Sequence, residues 1–446
     1  MGLYEGLKEE SFMTWQEIYK SRLIPLVESA KLIKSGDRVI VGSACGTPEG
    51  LIDVLLERSN ELRDVEIVAM VSTGKSAYAQ PQYAKAFRHN SFFVWHSTRR
   101  AMEEDRADYT PCFFVEFPMI MKDGTLPSDA AMITVSPPDK VGNVSLGISV
   151  CYDMAAARSS KMVIAEVTKH MPHTLGDSFM HVSEIDYFVE TDRPLIEAPR
   201  PVMTEVETKI GGYVAQLVKD GDCLQLGYGP LPDALLSFLG NKNDLGIHSE
   251  MISDGVMDLV EKGVITCRRK NFHYSKIIIT FAIGTRRFYE WMDYNSMIEM
   301  HPVEYINDPV IIGMNDNMVS VNSAICVDLL GQAASDMIGP NQYGGVGGQV
   351  DFVRGCRRSK GGRSVLALPS TSSDGKISRI VPSLAEGQAV TTSRMDIDYV
   401  ITDYGIAHLR GKTVKARARE LITIAAPEFR DGLAKEFRRI YGRDPA

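Results

Sequence analysis

The chain has 446 residues, 44% hydrophobic and 24% charged, and carries a net charge of −8 at pH 7. This length can bury a large core and allows more than one domain. The acidic balance excludes a general nucleic-acid surface, though not a local site for an anionic ligand.

The first nineteen residues, MGLYEGLKEESFMTWQEIY, have no apolar stretch followed by small residues, so no secretory leader is expected. Met1-Gly2-Leu3-Tyr4-Glu5-Gly6 lacks the Ser or Thr of a myristoylation site. The longest apolar runs, such as KIIITFAIG, fall well short of the ~20 residues of a membrane span, so no membrane partner is expected. The seven cysteines are scattered, odd in number and free of C-x-x-C pairs. That pattern points to reduced thiols in a cytoplasmic protein, with no metal-ligand spacing.

Strands are predicted at 38–41, 65–69, 131–135, 162–166, 276–280, 365–368 and 399–402, most of them nearly unbroken apolar runs. Such runs suit strands buried on both faces of mostly parallel sheets. Helix-length segments lie between them, among them 48–60, 204–219 and 415–426. LIKSGDRVIVGSACGTPEGLIDVLLE, from Leu32, resembles LVKDGDCLQLGYGPLPDALLSFLG, from Leu217. Both read as helix end, Lys-x-Gly-Asp turn, apolar strand, glycine loop, proline and new helix. Two related open α/β halves are therefore expected. The segment TDRPLIEAPRPV, with three prolines, makes a linker, and places the domains at 1–195 and 196–446.

Two glycine-rich features fall in the second half. In LQLGYGPLPDA, Gly227 and Gly229 end a strand, and prolines open the next helix. Amides at such a turn suit an anionic group or a developing oxyanion. In QYGGVGGQVDF, Gly344, Gly345, Gly347 and Gly348 stand within five residues. Glycine costs about 0.5–1 kcal/mol relative to alanine in regular structure, so such a cluster implies unusual dihedrals or close backbone approach. It matches neither a Walker phosphate loop nor a dinucleotide fingerprint.

Two glutamates follow a serine and have a histidine within three residues, Glu250 in GIHSEM and Glu184 in HVSEID. Neither has a second carboxylate at a spacing that suggests a glycosidase or a metal site, and no Ser-His-Asp arrangement is apparent.

Taken together, LQLGYGPLPDA, GIHSEMISDGVMDLVEKGVI and GGVGGQVDFVRG resemble the acetyl-CoA hydrolase/transferase family of class I CoA-transferases, in its 4-hydroxybutyrate and butyryl-CoA:acetate branch. VSPPDKVGNVSLG, GDSFMHVSEIDYFVET and ISRIVPSLAEGQAVTTSRMDIDYVITDYGIAHLRGKT extend the resemblance over nearly the whole chain. It implies two similar α/β domains with the active site between them. It implies coenzyme A as co-substrate, with acyl-CoA and short-chain carboxylates as partners, and a homodimer or dimer-based oligomer. Glu250 takes the place of the catalytic carboxylate, which carries CoA as a glutamyl thioester. Gly227, Tyr228, Gly229, Pro230 and Leu231 border the thioester, and the four later glycines lie against CoA and the reacting carbonyl. Asn322 and Lys376 are further CoA contacts, and His181 and Glu184 are substrate-side contacts. Tyr228 departs from the small branched residue common in this branch; it would narrow the acyl pocket or bring a hydroxyl to the carboxylate. Hydrolysis of acyl-CoA by the same glutamate, and a non-catalytic CoA-binding role, are the alternatives.

Overall fold

The computed structural model describes residues 13–445. The features noted at Met1 to Gly6, and most of the stretch examined for a leader, lie outside the described residues. The first half forms a seven-stranded sheet of β1 (Arg38–Val41), β2 (Val65–Ala69), β3 (Phe87–Ser91), β4 (Ala107–Tyr109), β5 (Ala130–Val135), β6 (Val163–Thr168) and β7 (Tyr187–Thr191). All neighbours are parallel, in the order β7-β6-β5-β1-β2-β3-β4. β5 and β6 are buried along their whole length, which explains their unbroken apolar sequences. β3, FRHNS, alternates buried and more exposed positions, and its polar composition hides it from a search for apolar runs.

The second half forms a six-stranded sheet of β8 (Cys223–Gln225), β9 (Gly246–Ile247), β10 (Met318–Ser323), β11 (Arg363–Ala367), β12 (Tyr399–Thr402) and β13 (Gly405–His408). Its order is β9-β8-β10-β11-β12-β13, and only the last pair is antiparallel. Strand order reverses between β1 and β5 in one sheet and between β8 and β10 in the other. Ligands of open α/β sheets bind outside the carboxyl ends of strands at such reversals.

The sequence repeat is also a structural one. The Lys34 amide donates to the Asp37 carboxylate at 2.7 Å, and the Lys219 amide donates to Asp222 at 2.6 Å. Gly36 and Gly221 have φ of 85° and 80°, which few other residues would tolerate. Each turn feeds the strand at its sheet's reversal point, β1 or β8, and then a nine-residue helix, α1 (Glu49–Glu57) or α2 (Pro230–Phe238).

The halves are joined by more than the linker. The run expected at 276–280 forms the short strand Ile277–Ile279, but it leaves the main sheet. It pairs with Ile298–Met300, which pairs in turn with Leu175–Gly176 of the first half. The amides of Val150 and Cys151 donate to the Thr280 carbonyl at 3.1 and 3.0 Å, and Val303 donates to Cys151 at 2.9 Å. One apolar cluster runs without a break from Ile40 to Ile401. All seven cysteines are free thiols. Among the described residues no helix is long and apolar enough to cross a membrane, and no three His, Cys, Asp or Glu gather as metal ligands.

Candidate active site

Glu250 follows β9 and precedes a short strand, Met251–Ile252. Its backbone is clamped on both sides. The fully buried Ser249 hydroxyl accepts the Leu226 amide at 3.1 Å and lies 2.7 Å from the Met251 carbonyl. The Glu250 carbonyl accepts the amides of Thr280 and Phe281 at 3.1 and 3.2 Å. The main chain is thus fixed while the side chain projects toward Asn307, whose Nδ2 donates to Glu250 Oε2 at 2.8 Å. The second N–H of that amide reaches Asp351 Oδ2 at 3.2 Å. Asp351 Oδ2 also accepts the Val115 amide of the first half, at 3.2 Å.

The backbone that carries Asn307 is held by His248. Its ring is fully buried and pushed down to about 3, by burial first and then by the Lys270 charge. It is therefore neutral, and its Nε2 lies 2.8 Å from the Ile306 carbonyl, an acceptor only.

Electrostatics separates Glu250 from an ordinary surface acid. Burial pushes its carboxyl up; the Asn307 bond offsets part of this, the nearby Asp351 adds to it, and the Gly348 amide opposes it. The net position is about 7. Burial pushes Asp351 to about 7 as well, against the Asn307 and Val115 bonds. Among the described residues neither Glu250 nor Asp351 has a salt-bridge partner. A carboxylate partly withdrawn from water, with no paired cation, gains nucleophilicity toward an activated acyl group.

The second glycine feature meets Glu250, and the first leaves from a strand bonded to the residues on either side of it. Leu226, which ends the strand before the first, bridges to Met251 and is bound to Ser249, so Gly227 leaves beside the glutamate's own strand. Gly229 has φ 139° and caps α2, with Pro230 at the helix start. The Tyr228 hydroxyl donates to the Pro199 carbonyl at 2.9 Å, so it belongs to the linker side and is not turned to the carboxylate.

In the second loop three of the four glycines are held by close approach or by positive φ, and the fourth, Gly344, by its backbone bond alone. Gly344 accepts the Val94 amide of the first half at 3.2 Å. A Cβ on Gly345 would lie 2.8 Å from the Phe93 Cα. Gly347 has φ 52°, and its carbonyl accepts the Phe114 amide at 3.3 Å. A Cβ on Gly348 would collide with Glu250 Oε2 and Asn307 Nδ2. The loop wedges between the halves, and its last glycine leaves room for the carboxylate. α3 (Gln349–Arg358) starts immediately after it.

The other expected residues lie apart from this cluster. Asn322 exchanges amide hydrogen bonds with Gln225 at 3.1 and 3.2 Å, across β10 and β8. Lys376 is exposed on a turn, 3.6 Å from Asp374. His181 and Glu184 cap one short helical turn; Glu184 accepts the His181 amide at 3.1 Å and pairs with Arg158 at 2.8 Å. All partners of these last two belong to the first half, and none is Glu250 or a glycine of either loop. Asn307 and Asp351 were missing from the expected set. Asn307 sits in YINDPV, which reads as a turn before proline. Asp351 is three residues past Gly348, in the first turn of a helix, a spacing that could have flagged it.

Sequence comparison matches the acetyl-CoA hydrolase/transferase N-terminal domain to residues 8–197 and its C-terminal domain to residues 284–437. The 4-hydroxybutyrate coenzyme A transferase of Clostridium kluyveri is 51% identical over 96% of this chain and 100% of its own. The butyryl-CoA:acetate CoA-transferase of Anaerostipes caccae is 34% identical over 95% of this chain and 97% of its own. The crystal structure of RipA from Yersinia pestis superposes with a TM-score of 0.91 at 35% identity, covering 96% of this chain and 100% of that one.

Proposed function

The chain belongs to the acetyl-CoA hydrolase/transferase family, and from that premise we propose that it moves CoA between a short-chain acyl-CoA and a free carboxylate, with Glu250 as nucleophile. One observation carries the assignment of Glu250. Its carboxylate is partly buried at the junction of the halves, without a paired cation, against Asn307 and the backbone of Gly348.

The residue types fit the chemistry. Glu250 attacks the thioester carbonyl; the C–S bond breaks and CoA leaves as thiolate, giving a mixed anhydride. The thiolate then attacks the glutamyl carbonyl, the first acid leaves as carboxylate, and CoA remains on Glu250 as a thioester. A second carboxylate attacks this thioester and the steps run in reverse. Every nucleophile and leaving group is an anion, so no proton transfer is needed, in keeping with a site that has no Ser-His or His-Asp pair. Each tetrahedral intermediate needs N–H donors, and the Asn307 amide and the backbone at Gly227–Leu231 and Gly344–Gly348 are the candidates. Asn322 and Lys376 remain proposed contacts for the distal parts of CoA. Acyl groups of the acetyl, butyryl and 4-hydroxybutyryl class are the proposed substrates.

Incubation with butyryl-CoA, followed by intact mass and peptide mapping, should find CoA attached at Glu250, and borohydride should reduce that thioester and inactivate the enzyme. Wild-type turnover by Glu250→Ala would end this assignment. Thiol release without an acceptor acid, at a rate equal to transfer, would make the enzyme a hydrolase instead. We further propose a cytoplasmic homodimer or dimer-based assembly, which sedimentation of the purified protein tests for size.

A further inference from the structure

Asn307 serves two carboxylates with one NH2 group. One N–H points to Glu250 and the other to Asp351, at 2.8 and 3.2 Å. The two acids are therefore separated by a single amide, within a region where Asp351 is 3% exposed. Two anions held this close, one buried and the other partly so, repel each other, and one of them is more stable as the neutral acid. The donors around Asp351 show where its proton fits. Both the Asn307 and the Val115 N–H converge on Oδ2, which leaves Oδ1 for a hydrogen.

We propose that Asp351 is a positioning residue that acts through Asn307: it holds a proton when the enzyme is active, so that the amide and the local field favour Glu250 as the anion. This rests on Glu250 being the nucleophile.

The surrounding charges are few. On the Glu250 side stand the Cys151 thiol of the first half and the Gly348 amide. On the Asp351 side stand Glu116 and the Cys112 thiol from the first half, and Arg354 on the same helix. Arg354 is occupied elsewhere, 3.5 Å from Asp396 and 5.3 Å above the Phe113 ring. Val115 is a donor from the opposite half, so the state of Asp351 also depends on how the halves are docked. Both acids are held near neutrality, so they titrate as a coupled pair. Glu250 then ionises beside a neutral Asp351 and sets the acid limb of the rate profile, and the later loss of the Asp351 proton, which puts a second anion on the shared amide, sets an alkaline limb.

The test is the pH profile of kcat/KM, and of Glu250-linked CoA formation from acetyl-CoA, between about pH 5 and 9. Asp351→Asn, a permanently neutral side chain, should leave the acid limb in place and abolish the alkaline limb, and Asp351→Glu should restore the alkaline limb. A folded Asp351→Asn protein, or Asp351→Ser in its place, whose acid limb moves down or whose alkaline limb persists overturns the proposal. Infrared difference spectra of wild type and Glu250→Gln give an answer that needs no change at 351. A protonated-carboxyl band present near neutral pH in the wild type should weaken in Glu250→Gln, because Asp351 ionises once the neighbouring anion is gone; an unchanged band also overturns the proposal. If Glu250→Gln still forms the CoA adduct, it is the nucleophile assignment that fails. If the adduct needs Glu250 but the alkaline limb persists in Asp351→Asn, only the role of Asp351 fails.

Discussion

Glu184 and Glu250 are nearly the same in local sequence, each after a serine and near a histidine, yet the structure gives them opposite environments. Glu184 is a third exposed, accepts the His181 amide and pairs with Arg158. Partial burial pushes its carboxyl up, but Arg158 and His181 outweigh it, and the group sits below its ordinary range. Glu250 has an amide where Glu184 has a guanidinium, and burial takes it up to about 7. The histidines differ in the same way. His181 bonds Ser183 at the surface, while His248 is buried and holds the Ile306 carbonyl. A short motif therefore does not decide a role; the partner that meets the carboxylate does.

The largest difference should appear on removing each carboxylate. Glu250→Ala should lower CoA transfer by at least about 10³-fold and abolish the adduct, measured by coupled assay and intact mass. Next comes Asn307→Ala, which takes away the donor that Glu184 never had. A loss of about 10²–10³-fold in kcat is expected, the typical effect of losing one such donor. Gly348→Ala should follow, at about 10²-fold, because its methyl would displace the Glu250 and Asn307 side chains. Gly348 has φ −90°, which alanine adopts freely, so the melting temperature should change little. A Gly348→Ala enzyme at wild-type speed would show that the close packing around Glu250 has no part in catalysis.

The sequence was informative where one residue type has one use. The Lys-x-Gly-Asp turns, the buried strands of the first sheet and the glycine loops were legible, because φ above zero, burial on both faces and close approach each restrict composition. Glu250 was legible through resemblance, not through its neighbours. Asn307 was not legible at all. It lies 57 positions from Glu250 in sequence, and only the packing of Val303–Ile306 against Cys151 and His248 brings its amide to the carboxylate. Strands β3 and β10 were missed because FRHNS and MVSVNS mix polar residues into buried positions.

Stability gives a smaller but cleaner contrast. Glu250 ionises near 7 in the fold and near 4.5 when exposed, so the fold favours its protonated form. Its contribution is fully present below about pH 4.5 and is lost as pH rises through about 7. Glu250→Gln should therefore stabilise the protein by about 2 kcal/mol above pH 8, with the gain vanishing toward pH 4. Denaturant unfolding at the two pH values measures it. An equal effect at both would mean that desolvation of the carboxylate is not what sets Glu250 apart.

At Glu184 the sign reverses and the size shrinks. A carboxyl held below its ordinary range adds stability above that range and loses it as pH falls through its depressed value. Glu184→Gln should therefore destabilise slightly near neutral pH, by at most about 1 kcal/mol for a largely solvated pair and a cap. The loss should fade on acidification, where the wild-type carboxyl is protonated as well. Transfer rates should stay within about two-fold of wild type, since every partner of Glu184 belongs to its own turn or to Arg158. A larger fall in kcat/KM confined to the acceptor acid would put Glu184 back at the substrate and make the two glutamates partners in one site.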